Sequence, residues 1–278
     1  MALKIVSVFK KPYLPDINHH IMKKLTVTLT FLCLLIGISA QSQVQEYYQL
    51  KTYSFVTEDQ EKITDDYLEN AFLPALKEFD IMNVGVFKPH ATDSIAPKKT
   101  FVLIPFSSLT KFQLLDEALA ENETHNTNGK AYLQATHDNP PYHRISSVLM
   151  KAFVDMPNMK ASPLEGPRSE RIYELRSYEA ATEDLYKRKV DMFNAGGEVA
   201  LFEQLAFNAV FYAEVLSGPT MPNLMYMTTH ENMDARTENW EAFVASPEWT
   251  ELKVMPKYQN TVSKNVTILL YPTAYSDY

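Results

Sequence analysis

Glu174, Arg176 and Tyr178 occupy alternate positions of the segment Tyr173-Glu-Leu-Arg-Ser-Tyr178. Alternate side chains of a strand leave the same face, so an acid, a guanidinium and a phenol are expected in one row. A carboxylate whose pKa is raised can act as a general base, and an arginine beside it can hold the anion that forms. Glu174, Arg176 and, from a later strand, Glu214 are therefore the candidate catalytic residues. Tyr178, Tyr212, Tyr226 and His230 are expected to line the same space as ligand-binding residues, joined by Lys51 and Tyr53 from the earlier segment Tyr48-Gln-Leu-Lys-Thr-Tyr53. The opposite row, Tyr173, Leu175 and Ser177, suits a layer of helices, which places the polar row between two sheets. The same residues also fit a plainer role, a Glu–Arg pair that registers strands, because structural ion pairs perturb titrating groups too.

Other chemistry finds less support. His90, His125, His137, His143 and His230 show no HxxxH or HExxH spacing, and His90 and His125 fall in loop-like sequence, so no metal is expected. The only cysteine, Cys33, lies in an apolar N-terminal run, so no disulfide or thiolate nucleophile is expected elsewhere. P-loop, GxGxxG and GxSxG patterns are absent, which disfavours nucleotide cofactors and an α/β-hydrolase elbow; no cofactor is expected. Asp65-Asp66 and Glu121-Asn-Glu123 read as solvated or loop residues. Trp240 and Trp249 read as core, and Met221, Met225, Met227 and Met233 as adaptable packing.

The elements that must position these residues follow from a repeat. Tyr48–Tyr53 and Tyr173–Tyr178 match position by position, with Gln for Glu, Lys for Arg and Thr for Ser. A self-match so far apart in the chain points to two copies of one domain rather than a solenoid. Residues 155–169, with Pro157, Pro163, Gly166 and Pro167, read as the linker, leaving copies at 46–154 and 170–272. The first copy reads as a strand over 47–55, a capping box at Thr57-Glu-Asp-Gln60 and an amphipathic helix kinked or divided at Pro74. Strands over 82–87 and 101–106, a helix over 109–120, a polar loop over 121–129 and a strand over 145–154 follow. The second copy repeats the order: a strand over 171–178, a helix opened by Thr182 and interrupted at Gly196-Gly197, and strands over 207–216 and 224–229. A helix presenting Trp240, Phe243 and Val244, a turn begun by Ser246-Pro247, and a strand over 265–271 complete it. The plan β-α-β-β-α-β is ferredoxin-like. The expected fold class is α+β, with two such domains covering each other's bare sheet, since an uncovered apolar sheet would be a large exposed patch.

The N-terminus reads separately. From Met22, Lys23-Lys24 precede an apolar run over 25–38 and then Ser39-Ala40, the pattern of a cleaved signal peptide. The run is shorter than the ~20 residues a membrane span needs, and residues 1–21 read as an upstream extension. The chain is therefore expected to be exported, periplasmic or secreted, with no membrane span after cleavage. The formal net charge of −8 becomes more negative once the lysine-rich residues 1–40 are removed, which disfavours nucleic acid as a partner.

Three segments carry a family resemblance: Tyr173–Tyr178, Gly218-Pro-Thr-Met-Pro-Asn-Leu-Met-Tyr-Met227 and Trp240-Glu-Ala-Phe-Val-Ala-Ser-Pro-Glu-Trp249. They resemble the NIPSNAP family of the dimeric α/β-barrel superfamily. The first copy is similar in its hexapeptide and in Leu73-Pro-Ala-Leu76 followed by Val84-Gly-Val-Phe87. The chain looks like the exported bacterial members with tandem domains. That resemblance implies two ferredoxin-like domains pairing inside one chain as a dimeric α/β-barrel, and it implies no settled activity. Some barrel relatives bind haem through a histidine on a helix; no histidine falls within the amphipathic helices expected here, so haem is not expected. Three functions are compatible with these readings. One is binding of a small aromatic or apolar ligand between the two sheets. Another is a cofactor-independent oxygenase or isomerase, with Glu174 or Glu214 as base and Arg176 on the anion. The third is a protein-interaction scaffold in the cell envelope. A homodimer is compatible with each, and fold analogy alone does not choose among them.

Overall fold

The computed structural model describes residues 44–90 and 98–278, and Val44–Tyr278 pack as one compact unit. The signal peptide and extension expected within residues 1–40, including Cys33, lie outside the described residues.

β1 (Tyr47–Phe55) leads into α1 (Glu58–Tyr67). The Thr57 side chain accepts the Gln60 amide at 3.2 Å while Gln60 Oε1 accepts the Val56 amide at 2.9 Å, so two otherwise orphaned donors are met at the helix start. The helix divides near Pro74: a π-helical turn over Leu68–Phe72 precedes α2 (Leu73–Glu78). Pro74 has no N–H to give the Asn70 carbonyl four residues back, and Asn128 Nδ2 donates to that oxygen at 3.0 Å. β2 (Gly85–Pro89) begins later than expected, because Asn83 takes the left-handed conformation, φ 59°, that ends a strand. β3 (Lys98–Phe106) and α3 (Leu109–Glu121) follow. The polar stretch expected as a loop is helical instead, as α4 (Glu123–Asn128) and α5 (Lys130–Leu133). Asn122 caps α4 by accepting the His125 amide at 2.6 Å. β4 (Arg144–Ala152) ends this half.

The second half runs β5 (Ile172–Glu179), α6 (Glu183–Phe193), α7 (Glu198–Gln204), β6 (Ala209–Ser217) and β7 (Asn223–His230). It continues with α8 (Met233–Ala245), α9 (Pro247–Leu252) and β8 (Lys264–Pro272). Thr182 caps α6 and Ser246 caps α9, each accepting the amide three residues on. Between the halves, residues 153–171 hold no helix or strand. They lie against the sheet, with the Met159 amide on Glu46 Oε2 at 2.7 Å and the Lys160 amide on the Val210 carbonyl at 3.0 Å.

The strand orders β4-β1-β3-β2 and β8-β5-β7-β6 are the same order twice, the ferredoxin-like one. β2 pairs with β8 and β4 with β6, all antiparallel, and this closes an eight-stranded barrel within one chain. Side chains fill its interior. Tyr48, Phe87, Tyr173, Phe211, Met227 and Leu270 belong to one core cluster and are fully buried, so no water-sized void touches them. Residues 273–278, beyond the expected second copy, take part in this core. The Tyr278 ring lies 5.9 Å from Phe87 and 6.2 Å from Tyr173, and Ser276 Oγ and Asp277 Oδ2 accept the amides of Val86 and Val84, each at 2.9 Å.

Candidate functional site

The polar row of β5 faces the helices, not the barrel. Tyr173 and Leu175 point into the barrel core, while Glu174 is bonded to Arg236 and Trp240 of α8. The other candidates follow the same rule. Glu214 accepts the Tyr186 hydroxyl of α6 at 3.0 Å. Tyr212, Tyr226 and Tyr178 pack on Phe193 of α6. His230 meets Asn239 of α8 at 3.1 Å. In the first half, Lys51 Nζ lies 5.1 Å over the Phe72 ring and Tyr53 lies 6.1 Å from Tyr142, both against the helix layer. The expectation that Glu174, Arg176, Glu214, Tyr178, Tyr212, Tyr226, His230, Lys51 and Tyr53 line the space between the sheets is therefore corrected. Alternation tells which residues share a face, and that sharing is observed. It does not tell which face turns inward. A filled barrel offers a charge no partner, whereas the helices bring arginine, indole, amide and phenol groups to meet it.

Glu174 is fully buried and takes four donated hydrogen bonds. Arg176 Nε lies 2.7 Å away, Arg236 Nε and Nη2 lie 2.7 and 2.9 Å away, and Trp240 Nε1 lies 2.9 Å away. The Arg176 guanidinium sits 3.9 Å over the Trp240 ring and donates to the Tyr178 hydroxyl at 3.0 Å, which is 2.8 Å from the Tyr226 hydroxyl. Burial alone would raise the Glu174 pKa, but bonds from Arg236, the Arg176 charge and the Trp240 bond together hold it below the ordinary carboxylate range. That is the opposite of the raised pKa expected of a general base. His230 Nε2 lies 3.8 Å from Glu174 Oε2, and burial, only partly offset by the carboxylate, lowers its pKa to about 4.

Arg236 escaped the sequence reading. Its signal was present: Asn232 caps α8 through the Ala235 amide, and Arg236 and Trp240 stand four residues apart on one face of that helix. Trp240, expected as core, does pack on Phe202, Phe207 and Phe243, half-buried, and its indole N–H also donates to Glu174. Met221, expected in packing, is exposed, and so is Val244, expected on one helix face with Trp240 and Phe243. Asp65, expected to be solvated, is partly buried, with Lys88 Nζ at 2.6 Å and the Tyr275 hydroxyl at 2.8 Å. His125, expected in a loop, is buried on α4.

Open space lies elsewhere on the helix side. A cavity of about 240 Å³ sits between residues 155–163, α7 and β6. Met156, Pro163, Val199, Ala209 and Tyr212 give it apolar walls, and Asp155, Lys160, Glu203 and Asn208 give it polar ones. Tyr212 is 1% exposed, and its hydroxyl has no hydrogen-bond partner among the described residues. Lys160 Nζ and Glu203 Oε1 approach to 3.5 Å, both largely exposed. Among the described residues, no group of three or more His, Cys, Asp or Glu is placed to hold a metal ion, and no helix is long and apolar enough to cross a membrane.

The model of the NIPSNAP family matches residues 173–277, the stretch from β5 to the tail that enters the barrel. This half is similar to a NIPSNAP domain. An uncharacterised NIPSNAP-like domain protein from Burkholderia xenovorans is 20% identical, with 40% of this chain and 91% of that one covered and a TM-score of 0.36. The whole barrel is similar to a candidate monooxygenase from Lactobacillus acidophilus NCFM, 10% identical over 82% of this chain and 94% of that one, TM-score 0.53. A candidate monooxygenase from Fusobacterium nucleatum is 6% identical over 83% and 93%, with the same TM-score of 0.53. These two likenesses are of fold, and they extend beyond the matched residues 173–277 to both halves. No match was found among curated proteins.

Proposed function

We propose that the protein binds a small aromatic or mainly apolar molecule in the cavity over Tyr212, not between its sheets. The cavity under residues 155–163 carries this reading. A void of roughly 150 Å³ suffices for benzene, so about 240 Å³ accommodates one or two fused rings. Apolar walls with a few polar groups are what small-ligand sites have in common. Native mass spectrometry of the protein purified from its own host tests the reading, with a retained small molecule expected. Ala161→Trp, on the exposed segment at the cavity edge, is expected to expel it. Retention of the same molecule by that variant, or no ligand in the unaltered protein and no binding in a screen of small aromatics, overturns the assignment.

A cofactor-independent oxygenase or isomerase is the second reading, supported by the fold shared with two structures named as candidate monooxygenases. Glu174 is committed to four donors, so Glu214, with one bond from Tyr186, is the better base. Turnover that survives Glu214→Gln removes it from that role. A scaffold role in the envelope is the third reading, tested by recovery of a stoichiometric partner on gentle purification. A homodimer remains compatible with all three, although one chain closes its own barrel.

Export to the periplasm or medium is part of the proposal and is supported by the Met22–Ala40 pattern. The intact mass of the native protein is expected to begin at Gln41. Retention of residues 1–40 overturns it.

A further inference from the structure

The helix layer of the first half holds a buried cluster that the ligand cavity does not use. Tyr67 of α1 and His125 of α4 are 7% and 4% exposed, and Tyr67 Oη lies 3.0 Å from His125 Nε2. The Tyr132 ring of α5 stacks on Tyr67 with centroids 3.9 Å apart and planes at 4°. Tyr142 lies 5.8 Å beyond Tyr132. His125 Nδ1 is buried with no hydrogen-bond partner among the described residues. Gly129 permits this approach of α4 and α5 to α1: a Cβ there would stand 2.6 Å from the His125 carbonyl and 3.2 Å from Tyr67 Cδ2.

A buried phenol gives up an electron readily only if its proton leaves with it, because the bare radical cation would be an uncompensated charge in an apolar site. Burial, with smaller contributions from Tyr53 and Asp116, raises the Tyr67 pKa, so the hydroxyl keeps its proton at neutral pH. A proton acceptor already stands beside it. With the imidazole proton on Nδ1, Nε2 is the accepting atom.

The geometry points to a redox-active tyrosine: Tyr67 gives one electron to an oxygen-centred radical, such as a peroxyl, while its proton passes to His125 Nε2. The Oη–H bond breaks and the Nε2–H bond forms, leaving a neutral tyrosyl radical beside an imidazolium. The peroxyl is reduced to its anion, which takes a proton from water and leaves hydroxide. A hydroquinone-class reductant returns the electron and becomes a semiquinone, its released proton neutralising that hydroxide, and the first proton goes back from Nε2 to Oη. Tyr132 and Tyr142, both half-buried, give the electron a path of close rings to the surface, so the oxidant need not enter. The site is a one-electron trap, independent of whether the Tyr212 cavity holds a ligand.

Photo-oxidation of the full chain with a ruthenium tris-bipyridine sensitiser and persulfate, followed by freeze-quench EPR, tests this. A tyrosyl radical with a hydrogen-bonded proton coupling that vanishes in D2O is expected. Tyr67→Phe should abolish that signal, and His125→Gln should remove the exchangeable coupling and shorten the radical's life. Ala161→Trp should leave the signal intact. A radical in the unaltered protein without the exchangeable coupling, or an unchanged signal in Tyr67→Phe, overturns the proposal. If Tyr67→Phe fails to fold, 3-fluorotyrosine placed at position 67 decides instead: a fluorine coupling on the radical is expected, and a signal without it overturns the proposal.

Discussion

Trp240 Nε1 donates to Glu174 Oε2 at 2.9 Å, which fixes an indole ring under the Arg176 guanidinium 3.9 Å away. One carboxylate thus anchors α8 to β5 and compensates two arginines. Glu174→Gln would leave Arg176 and Arg236 facing each other without a counter-ion. A loss of about 3–5 kcal/mol is expected for breaking a buried pair from one side, measured by urea unfolding at pH 7. An unfolding curve like that of the unaltered protein would show that the carboxylate is there for chemistry instead.

His230 gives stability a pH dependence of defined sign. Its pKa is about 4 folded against 6.5 ordinarily. Between those values the unfolded chain takes up a proton that the folded protein refuses. Stability therefore falls as pH drops from 6.5 toward 4 and this contribution levels off below that window. The full effect is on the order of 3 kcal/mol. Glu174, held low, adds a further loss of the same sign as acid protonates it. Melting temperature against pH should show this decline, and His230→Gln should flatten it between pH 6.5 and 4.

Lys189 and Glu198 form a second buried pair, 2.7 Å apart, with the amine 4.6 Å over the Phe193 ring. Lys189→Met alone should cost about 3–5 kcal/mol, and adding Glu198→Leu should recover most of it, because an apolar pair often matches a buried ion pair. Double-mutant unfolding measures the coupling. Purely additive losses would mean that the two groups do not depend on each other.

Tyr173 carries its hydroxyl into the barrel core, where it is buried and finds no partner among the described residues. Removing an unsatisfied hydroxyl relieves a cost of about 1–3 kcal/mol, so Tyr173→Phe should raise the melting temperature. A lower one would show that the oxygen stabilises the core through its packing there.

Much of this molecule was legible in order along the chain. The paired hexapeptides mark β1 and β5, Thr57, Thr182 and Ser246 mark helix starts, and Pro74 marks the division of the first helix. These signals are local: a cap, a missing N–H or a period of two acts within a few residues, so the plan and the α+β class needed nothing more. The row Glu174, Arg176, Tyr178 was legible as a row for the same reason. Its side was not. Both rows of β5 run from buried to half-buried residues, and apolar content did not distinguish a barrel core from a helix layer. That choice depended on Arg236 and Trp240 arriving from α8, more than 60 residues on. The same holds for Tyr67 and His125, joined by a short helix hidden in polar sequence, and for Tyr278 filling the barrel end. Partners far apart in the chain meet only when the closed barrel brings their elements together, and it is the partner, not the residue, that makes a buried polar group tolerable.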